Sequence, residues 1–232
     1  MNLELDYLVI SPHPDDAELG LGGTLALLKS EGSRVGVLDL TNGEPTPHGD
    51  PVTRARETAE ATKVLQLDYR RNLGLKNREL ASDLNARKLL AEEIRALKPK
   101  TLFVPHWEDV HPDHVAAYEI ALGARFWSKL TKAQLAGDPH FPQKVIYYFG
   151  VHLRIHPKPS FVVDISAHID SKMRAIECYR SQVIIGRSTV FPTFLDDVKD
   201  RNRYWGWSIG CGYGEPFLMR EEVGLKSLGN LA

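Results

Sequence analysis

The sequence predicts an α/β fold, a Rossmann-like three-layer α/β/α arrangement with a mostly parallel sheet. Short apolar segments alternate with segments of helical periodicity, the connections are short, and glycine or proline marks many boundaries. Strands that alternate with helices are joined by right-handed crossovers, which make the strands parallel and cover both faces of the sheet. Because the 232 residues contain no repeat, low-complexity block or linker, we expect a single domain over residues 1–232.

The first half of the chain carries the most regular alternation. The first helix has Leu21, Leu25 and Leu28 at helical spacing, and we interpret its glycines as sites of close packing on the sheet rather than as a dinucleotide loop. We expect Ser82 to cap the third helix and Pro99 to end it. Predicted strands span 5–11, 34–41, 68–73 and 101–105, and predicted helices span 19–32, 53–65, 82–97 and 113–130.

The last third of the chain is less regular. Residues 143–150 and 161–165 are predicted strands, and 167–181 is a predicted helix capped by Ser166. A further helix is predicted over 194–211, although two glycines interrupt it. Residues 213–220 are predicted to form a final edge strand.

Composition and charge exclude several classes of protein. The net charge of -1 gives no reason to expect nucleic acid or an anionic membrane as a partner. Two cysteines do not make a disulfide framework, which fits a reducing compartment. The first residues are acidic where a signal peptide is basic, and no apolar run is long enough to span a membrane. We therefore expect a cytoplasmic protein.

Polar, chemically competent residues follow three of the predicted strands. Residues 13–18 follow the first strand, 42–44 follow the second, and 106–114 follow the fourth. In an open parallel sheet, ligands bind beyond the carboxyl ends of the strands. These segments are far apart in sequence, yet we expect them to meet at one edge of the sheet and to form the functional site there.

The residue types in these segments indicate a metal site. His13 and Asp16 lie three residues apart on a turn that Pro14 stiffens, so both can face one ion. A catalytic zinc site uses three protein ligands and an open position. The third ligand would be one of the histidines at 111 and 114, and spacing alone does not decide which. Asp15 would be left free beside the ion, where a carboxylate can take a proton from metal-bound water.

Other interpretations of the same residues must be weighed. An Asp-Asp pair after a strand often supplies a helix N-cap and a solvated acid, and the His-Pro-Asp-His segment could be a loop with a capping aspartate. A nucleotide-binding protein would lack its glycine fingerprint here. A non-catalytic metal- or sugar-binding module would need neither Asp15 nor His111. Two such segments at two strand ends favour a catalytic metal site over each alternative.

Several motifs resemble one known family. Residues 12–18, Pro-His-Pro-Asp-Asp-Ala-Glu, resemble the signature of the LmbE/PIG-L family of zinc-dependent N-acetylglucosaminide deacetylases, and His-Pro-Asp-His at 111–114 resembles its second motif. Further similarity lies at 41–44, 54–57, 161–165 and 179–182, so the resemblance covers nearly the whole chain. It is strongest to the bacillithiol-biosynthesis branch, which deacetylates N-acetylglucosaminyl malate. Deacetylases of chito-oligosaccharides or inositol glycosides are the alternatives within the family.

The resemblance assigns roles to individual residues. It implies that His13, Asp16 and His114 bind Zn²⁺, although the same ligands also suit Fe²⁺. It implies that Asp15 is the general base. His111 would stabilise the oxyanion or protonate the leaving amine, and Asp113 would orient His111.

Expectations about the substrate and the assembly are coarser. The resemblance implies that Arg54 contacts the substrate, for instance at malate carboxylates. Asn42 and Glu44 are candidates for lining the sugar pocket, although Asn-Gly is also a turn sequence. The family further implies a homo-oligomer, often a hexamer. The residues themselves assign no role to Asp109.

Overall fold

Apolar segments build the centre of a seven-stranded sheet. Strand β2 (Val35–Thr41) is buried along its whole length, and β1 (Tyr7–Ser11) and β4 (Thr101–Pro105) are buried at all but their first residue. Strands covered by helices on both faces have such continuous apolar runs. The structure is a computed structural model that describes residues 3–154 and 156–224.

The sheet has the order β3-β2-β1-β4-β5-β7-β6. Strands β1 to β5 are parallel, and β7 runs antiparallel to both of its neighbours. The predicted α/β class with a mostly parallel sheet is confirmed. The remaining strands are β3 (Tyr69–Leu75), β5 (Lys144–Tyr148), β6 (Phe161–Asp164) and β7 (Gly214–Leu218), and the helices are α1 (Asp16–Ser30), α2 (Pro51–Val64), α3 (Leu84–Leu97), α4 (Pro112–Ser128), α5 (Ile169–Glu177), α6 (Arg180–Val183) and α7 (Phe194–Ser208).

Helices on both faces of the sheet produce the three layers. Helices α3 and α4 pack together on one face, where Leu90, Ile94 and Ile120 join a core with β1 and β4. Helices α1, α2 and α5 lie on the other face, where Leu21 and Leu25 pack against β2. Within residues 3–154 and 156–224, none of the helices combines the length and hydrophobicity needed to cross a bilayer.

Helix α1 packs closely on its neighbours, as its glycines predict. A Cβ atom on Gly20 would lie 2.6 Å from Cδ2 of Tyr148, and one on Gly23 would lie 2.6 Å from Cδ1 of Ile165. The helix begins at Asp16, earlier than the predicted start at Leu19. This places Asp16 on the first helical turn, directly beyond the end of β1.

Four local predictions are wrong. The N-cap of α3 is Asp83 rather than Ser82, and the oxygen of Ser166 accepts from the Tyr213 amide instead of capping a helix. The predicted helix over 167–181 is two helices, because Tyr179 has a non-helical backbone (φ −83, ψ 54). Strand β7 lies between β5 and β6, so it is not an edge strand.

Candidate active site

The segments after β1 and β4 meet at the carboxyl edge of the sheet, as their positions predict. His13 and His111 have ring centroids 4.8 Å apart, and His13 and His114 have centroids 5.5 Å apart. The loop after β2 closes the same edge, since the Thr41 amide donates to the Pro12 carbonyl at 3.1 Å. The edge therefore brings residues about a hundred positions apart into contact.

Three of these residues form a group with the geometry of a metal site. Oδ2 of Asp16 lies 3.0 Å from Nδ1 of His13 and 3.2 Å from Nε2 of His114. All three ligand atoms lie within 4.8 Å of one another, and the three residues are buried. Nε2 of His114 is buried, and because its contact with Asp16 lacks hydrogen-bond geometry, it makes no hydrogen bond to a described residue. Two imidazoles, one carboxylate and an orphaned nitrogen fit a divalent cation such as zinc.

A second group, formed by His13, His111 and Asp113, also satisfies the distances. It fits a metal less well because Nδ1 of His111 already accepts the Asp113 amide at 3.2 Å. His111 is also less buried than His114. The geometry therefore favours His114 as the third ligand, which the spacing in the sequence left open.

Two carboxylates orient the candidate ligand histidines. Oδ2 of Asp109 lies 3.0 Å from Nδ1 of His114, and Oδ2 of Asp113 lies 3.2 Å from Nε2 of His13. A carboxylate on the far nitrogen of a ligating imidazole fixes its orientation and raises its basicity. The carboxylate of Asp113 thus contacts His13 rather than His111, which differs from the role that the family resemblance implies.

Sequence reasoning missed Asp109. Its other oxygen accepts the His111 amide at 2.9 Å, so Asp109 holds both the backbone at His111 and the side chain of His114. The only signal in the sequence was an acid five positions before a candidate ligand. That spacing has no fixed geometry in a loop, and only the turn before α4 brings the acid onto His114.

The surrounding acids control the pKa values of the candidate ligands. Burial lowers the pKa of His114, but the charge of Asp16 and the hydrogen bond to Asp109 outweigh it and raise that pKa to about 10. Burial is likewise outweighed at His13, where bonds to Asp113 and Asp16 raise the pKa to about 9. Against its own burial, Asp16 has a pKa well below 3.8, chiefly through His114. Protons and a metal ion would therefore compete for these imidazoles.

Asp15 does not act as a helix cap. It occupies the N-cap position of α1, yet its side chain makes no cap hydrogen bond. Its backbone has φ of 111°, a strained conformation for a residue with a side chain. Its carboxylate instead accepts from Nη1 of Arg54 at 2.9 Å, and burial raises its pKa to about 7 despite that arginine. The interpretation of Asp15-Asp16 as a cap plus a solvated acid is excluded.

Protein groups hold most of the Arg54 guanidinium, although this residue also lines the metal cavity. Its side chain is 4% exposed, and it donates to Asp15 and, at 3.0 Å, to the Pro14 carbonyl. Its Nε lies 3.3 Å from Oε1 of Glu44, which also accepts from the Thr46 hydroxyl. Arg54 therefore fixes the position of Asp15. Because Arg54 also lines the metal cavity and its Nη2 donates to no described residue, its expected contact with substrate carboxylates stays a prediction.

The two candidates in the loop after β2 are not in the cavity lining. Oδ1 of Asn42 accepts the Glu44 amide at 2.9 Å, so Asn42 forms the turn that its Asn-Gly sequence indicates. Glu44 is 7% exposed and faces Arg54. Gly43 and Thr46 line the cavity instead. This difference from the expectation arises because Glu44 turns inward to face Arg54, whereas Asn42 is exposed and caps the turn.

His111 is set up as a hydrogen-bond donor. Because its Nδ1 accepts the Asp113 amide, the proton of the neutral ring lies on Nε2. Burial, with the neighbouring His114 and His13, lowers the pKa of His111. A neutral ring with an Nε2–H group therefore faces the cavity at neutral pH.

Two adjoining cavities open at this edge. The metal cavity, about 270 Å³, is lined by His13, Asp15, Asp16 and His111 together with Arg54. The outer cavity, about 1040 Å³, lies between residues 151–154 and 156, the loop 184–193 and α7. Both are lined by Leu19, Val151, His152, Arg187 and Phe194, so one molecule can occupy both.

Comparisons with known proteins agree with this geometry. The chain is 32% identical over 190 residues to the diacetylchitobiose deacetylase of Thermococcus kodakarensis, covering 75% of this chain and 69% of that one. It is 29% identical to a probable N-acetyl-α-D-glucosaminyl L-malate deacetylase of Bacillus subtilis, covering 75% of this chain and 82% of the relative. A crystal structure of a conserved protein from Thermus thermophilus superposes with a TM-score of 0.87 at 42% identity, over 95% of this chain and 97% of the other.

A family model also matches residues 8–125, which include β1, the candidate metal ligands and most of α4. Its description is PIG-L, GlcNAc-PI de-N-acetylase. With half of the chain matched and the curated relatives covered over most of their length, the chain belongs to the PIG-L family of de-N-acetylases.

Proposed function

We propose that this protein is a metal-dependent hydrolase that removes the N-acetyl group from an N-acetylglucosaminide, with N-acetylglucosaminyl malate as its substrate. The observation that carries the proposal is the group His13, Asp16 and His114 beside Asp15, a carboxylate that neither caps a helix nor belongs to that group. A binding module would need the three ligands but not a partly buried, strained aspartate beside them.

His13, Asp16 and His114 would hold the cation, which could be zinc or ferrous iron. When bound, the cation would supply Lewis acidity toward the acetyl carbonyl and toward water. The carboxylates of Asp113 and Asp109 keep the two imidazoles oriented with their free nitrogens toward Asp16.

The chain's own groups move the proton. Asp15, oriented by Arg54, takes a proton from the attacking water as the new C–O bond forms. The Nε2–H group of His111 donates to the oxygen on which negative charge develops. The C–N bond then breaks, the proton on Asp15 passes to the leaving nitrogen, and acetate and a glucosamine derivative remain.

The choice of malate rests on the relatives and on the sequence resemblance. The Bacillus subtilis relative is described as a probable N-acetyl-α-D-glucosaminyl L-malate deacetylase, and the Thermococcus relative acts on diacetylchitobiose. Diacetylchitobiose is therefore the second candidate substrate. A homo-oligomeric, cytoplasmic enzyme without nucleic-acid or membrane partners stays a prediction from the sequence.

Acetate release from a panel of N-acetylglucosaminides tests the proposal. The panel contains the malate glycoside, diacetylchitobiose, the inositol glycoside and the methyl glycoside, each given to the zinc-loaded protein. We expect release from at least the malate glycoside, with kcat/KM highest for that substrate. Release from diacetylchitobiose alone would make diacetylchitobiose the substrate instead of the malate glycoside. No acetate release from any of the four glycosides would refute the function.

A further inference from the structure

The outer cavity has more positive than negative charge. Arg154, Arg187 and Arg201 line it, and Asp197 is the single acidic residue in its lining. Its imidazoles add little positive charge, because burial lowers the pKa of His152 and lowers that of His156 to about 4. A cavity of this sign attracts anions and disfavours cations.

Two arginines of this cavity are held differently from Arg54 and Arg70. Arg54 and Arg70 each face two carboxylates. Arg187 and Arg201 form no ion pair within residues 3–154 and 156–224. Burial outweighs the charges of Asp109 and Glu215, neither of which pairs with the guanidinium group, and lowers the pKa of Arg201 to about 10. A partly buried guanidinium group without an ion-pair partner, as at Arg201, costs free energy unless it serves a ligand, whereas Arg187 is exposed.

Backbone carbonyls orient these two arginines without using all their donors. Nε of Arg187 donates to the Gln182 carbonyl at 2.9 Å. Nη1 of Arg201 donates to the Gly150 carbonyl at 3.1 Å, and its Nη2 lies 3.5 Å from the Phe149 carbonyl. Arg95 shows the purely structural alternative, because its guanidinium donates to four carbonyls and lines neither cavity. Arg187 and Arg201 retain donors for a further acceptor.

The position of these donors matches the outward end of a bound substrate. Arg187 lines both cavities, while Arg201 lines only the outer one. A sugar with its acetamido group in the metal cavity would extend its substituent past Arg187 toward Arg201. Arg54, the arginine that the sequence suggested for this task, faces Asp15 and Glu44 and lines the metal cavity but not the outer cavity.

We infer that the outer cavity is the subsite for an anionic substituent of the sugar, and that Arg187 and Arg201 determine specificity for it. The inference rests on the proposed deacetylase function and deepens it. Planar guanidinium groups bind carboxylate and phosphate oxygens equally well, so the shared requirement is an anionic oxygen group. The substituent is therefore a carboxylate or a phosphate, and neutral glycosides lack the contact.

Kinetics with matched substrates test the inference. We compare kcat/KM for the malate glycoside, for N-acetylglucosamine 1-phosphate and for the neutral methyl glycoside in wild type, R187Q and R201Q. Because one charge-assisted hydrogen bond is lost, each substitution should lower kcat/KM for the preferred anionic substrate about 10- to 100-fold. The methyl glycoside should be unaffected. The faster of the two anionic substrates identifies carboxylate or phosphate as the natural group.

R203Q is the matched control, because Arg203 is on the same helix as Arg201, is exposed, and donates to the Cys211 and Gly212 carbonyls outside the cavity. It should leave all rates unchanged. Equal losses on anionic and neutral substrates in R187Q and R201Q, or no preference of wild type for an anionic glycoside, would overturn the inference.

Binding separates this inference from the proposed function. Titration of L-malate into the metal-loaded protein should give equal affinity for wild type and R203Q, and about tenfold weaker binding for R201Q. Any chelation of the metal by malate would be common to all three proteins. If no glycoside is deacetylated but R201Q still loses malate binding, the function fails and the subsite stands. The same titration is made with inorganic phosphate. Equal binding of both anions by R201Q and wild type, or binding of neither anion by wild type, refutes the subsite.

Discussion

At the scale of single residues, the adjacent Asp15 and Asp16 have different surroundings and opposite pKa shifts. Asp16 lies on the first turn of α1 with its oxygen between two imidazoles, whereas Asp15 has a strained backbone and faces Arg54. The difference in environment gives them opposite pKa shifts, upward for Asp15 through burial and downward for Asp16, against its burial, through the two histidines. Paired acids with divergent pKa values are typical of acid–base chemistry.

Replacing the proposed base removes proton transfer without disturbing the ligands. D15N keeps the shape of the side chain but cannot accept a proton at neutral pH. We expect kcat to fall about 10²- to 10⁴-fold, the usual contribution of a general base, while zinc content measured by elemental analysis stays at the wild-type level. A D15N variant with near-normal kcat would show that Asp15 is not the base.

Asp109 should control metal affinity through His114. D109N loses the charge that raises the basicity of His114 but can keep a hydrogen bond to its Nδ1. Loss of such an orienting carboxylate weakens metal binding about 10- to 100-fold, which competition with a chelating dye would measure. D138N, at an acid that is 87% exposed, is the control. Equal zinc affinity of D109N and D138N would contradict the role.

At the scale of elements, helix α1 is interrupted at Leu21, and a buried ion pair between Lys172 and Glu215 stabilises the interruption. Leu21 departs from helical geometry (φ −146, ψ 21), which frees the amides of Gly23 and Thr24. The carboxylate of Glu215, from β7, accepts both amides at 3.0 and 2.7 Å. Nζ of Lys172, from α5, lies 2.6 Å from this carboxylate. The pair therefore joins three elements beneath the cavities.

Removing the lysine should destabilise the fold strongly. Lys172 is 1% exposed and Glu215 is fully buried, so K172M leaves an uncompensated charge in the core. Breaking a buried pair in this way costs about 3–5 kcal/mol, which denaturant unfolding would measure. K63M, at an exposed lysine of α2, should change little. Adding E215Q to K172M should recover part of the loss, and equal stability of K172M and K63M would contradict this account.

The sequence predicts the regular helices and strands better than it predicts the contacts that join them. Apolar runs and helical periodicity placed the strands of the parallel half, and the ends of those strands located His13, Asp16 and the two candidate histidines. The Gly23 amide that the break in α1 frees and its partner Glu215 are 192 positions apart in the chain, and no local pattern records such a pairing. Tyr179 is likewise non-helical, although the sequence around it predicts a helix. Its conformation is imposed by packing rather than by helix propensity.

At the scale of the whole molecule, the fold places two adjoining cavities at the carboxyl edge of the sheet. Segments that follow the parallel strands supply the candidate metal ligands, and the irregular last third supplies most of the outer cavity and part of the metal cavity. The metal cavity could be anticipated because strand ends converge by topology. The arginines of the outer cavity could not be anticipated, because the surface contains many arginines. Only the structure shows which of them have no carboxylate as an ion-pair partner.

Acid should destabilise the molecule through His156. Burial, with the charge of Arg201, lowers the pKa of His156 from 6.5 to about 4. The unfolded chain therefore binds this proton at higher pH than the folded chain, so the contribution to stability is complete above pH 6.5 and declines as the pH falls toward 4.

H156F keeps a ring against Phe149 and Trp205 but cannot titrate. The free energy of unfolding of H156F, from denaturant curves, should depend less on pH than that of wild type between about pH 6.5 and pH 4. H48F, at an exposed histidine, is the control. An identical pH dependence in H156F and wild type would show that His156 does not titrate as described.

Metal removal and restoration test the central claim most directly. Acetate release from N-acetylglucosaminyl malate is measured with wild type and with H114A, before and after treatment with a chelator and after zinc or ferrous iron is added back. The account predicts that chelation abolishes acetate release by wild type, that the added metal restores it, and that H114A stays inactive throughout. Full acetate release by the metal-free protein, or by H114A, would contradict it.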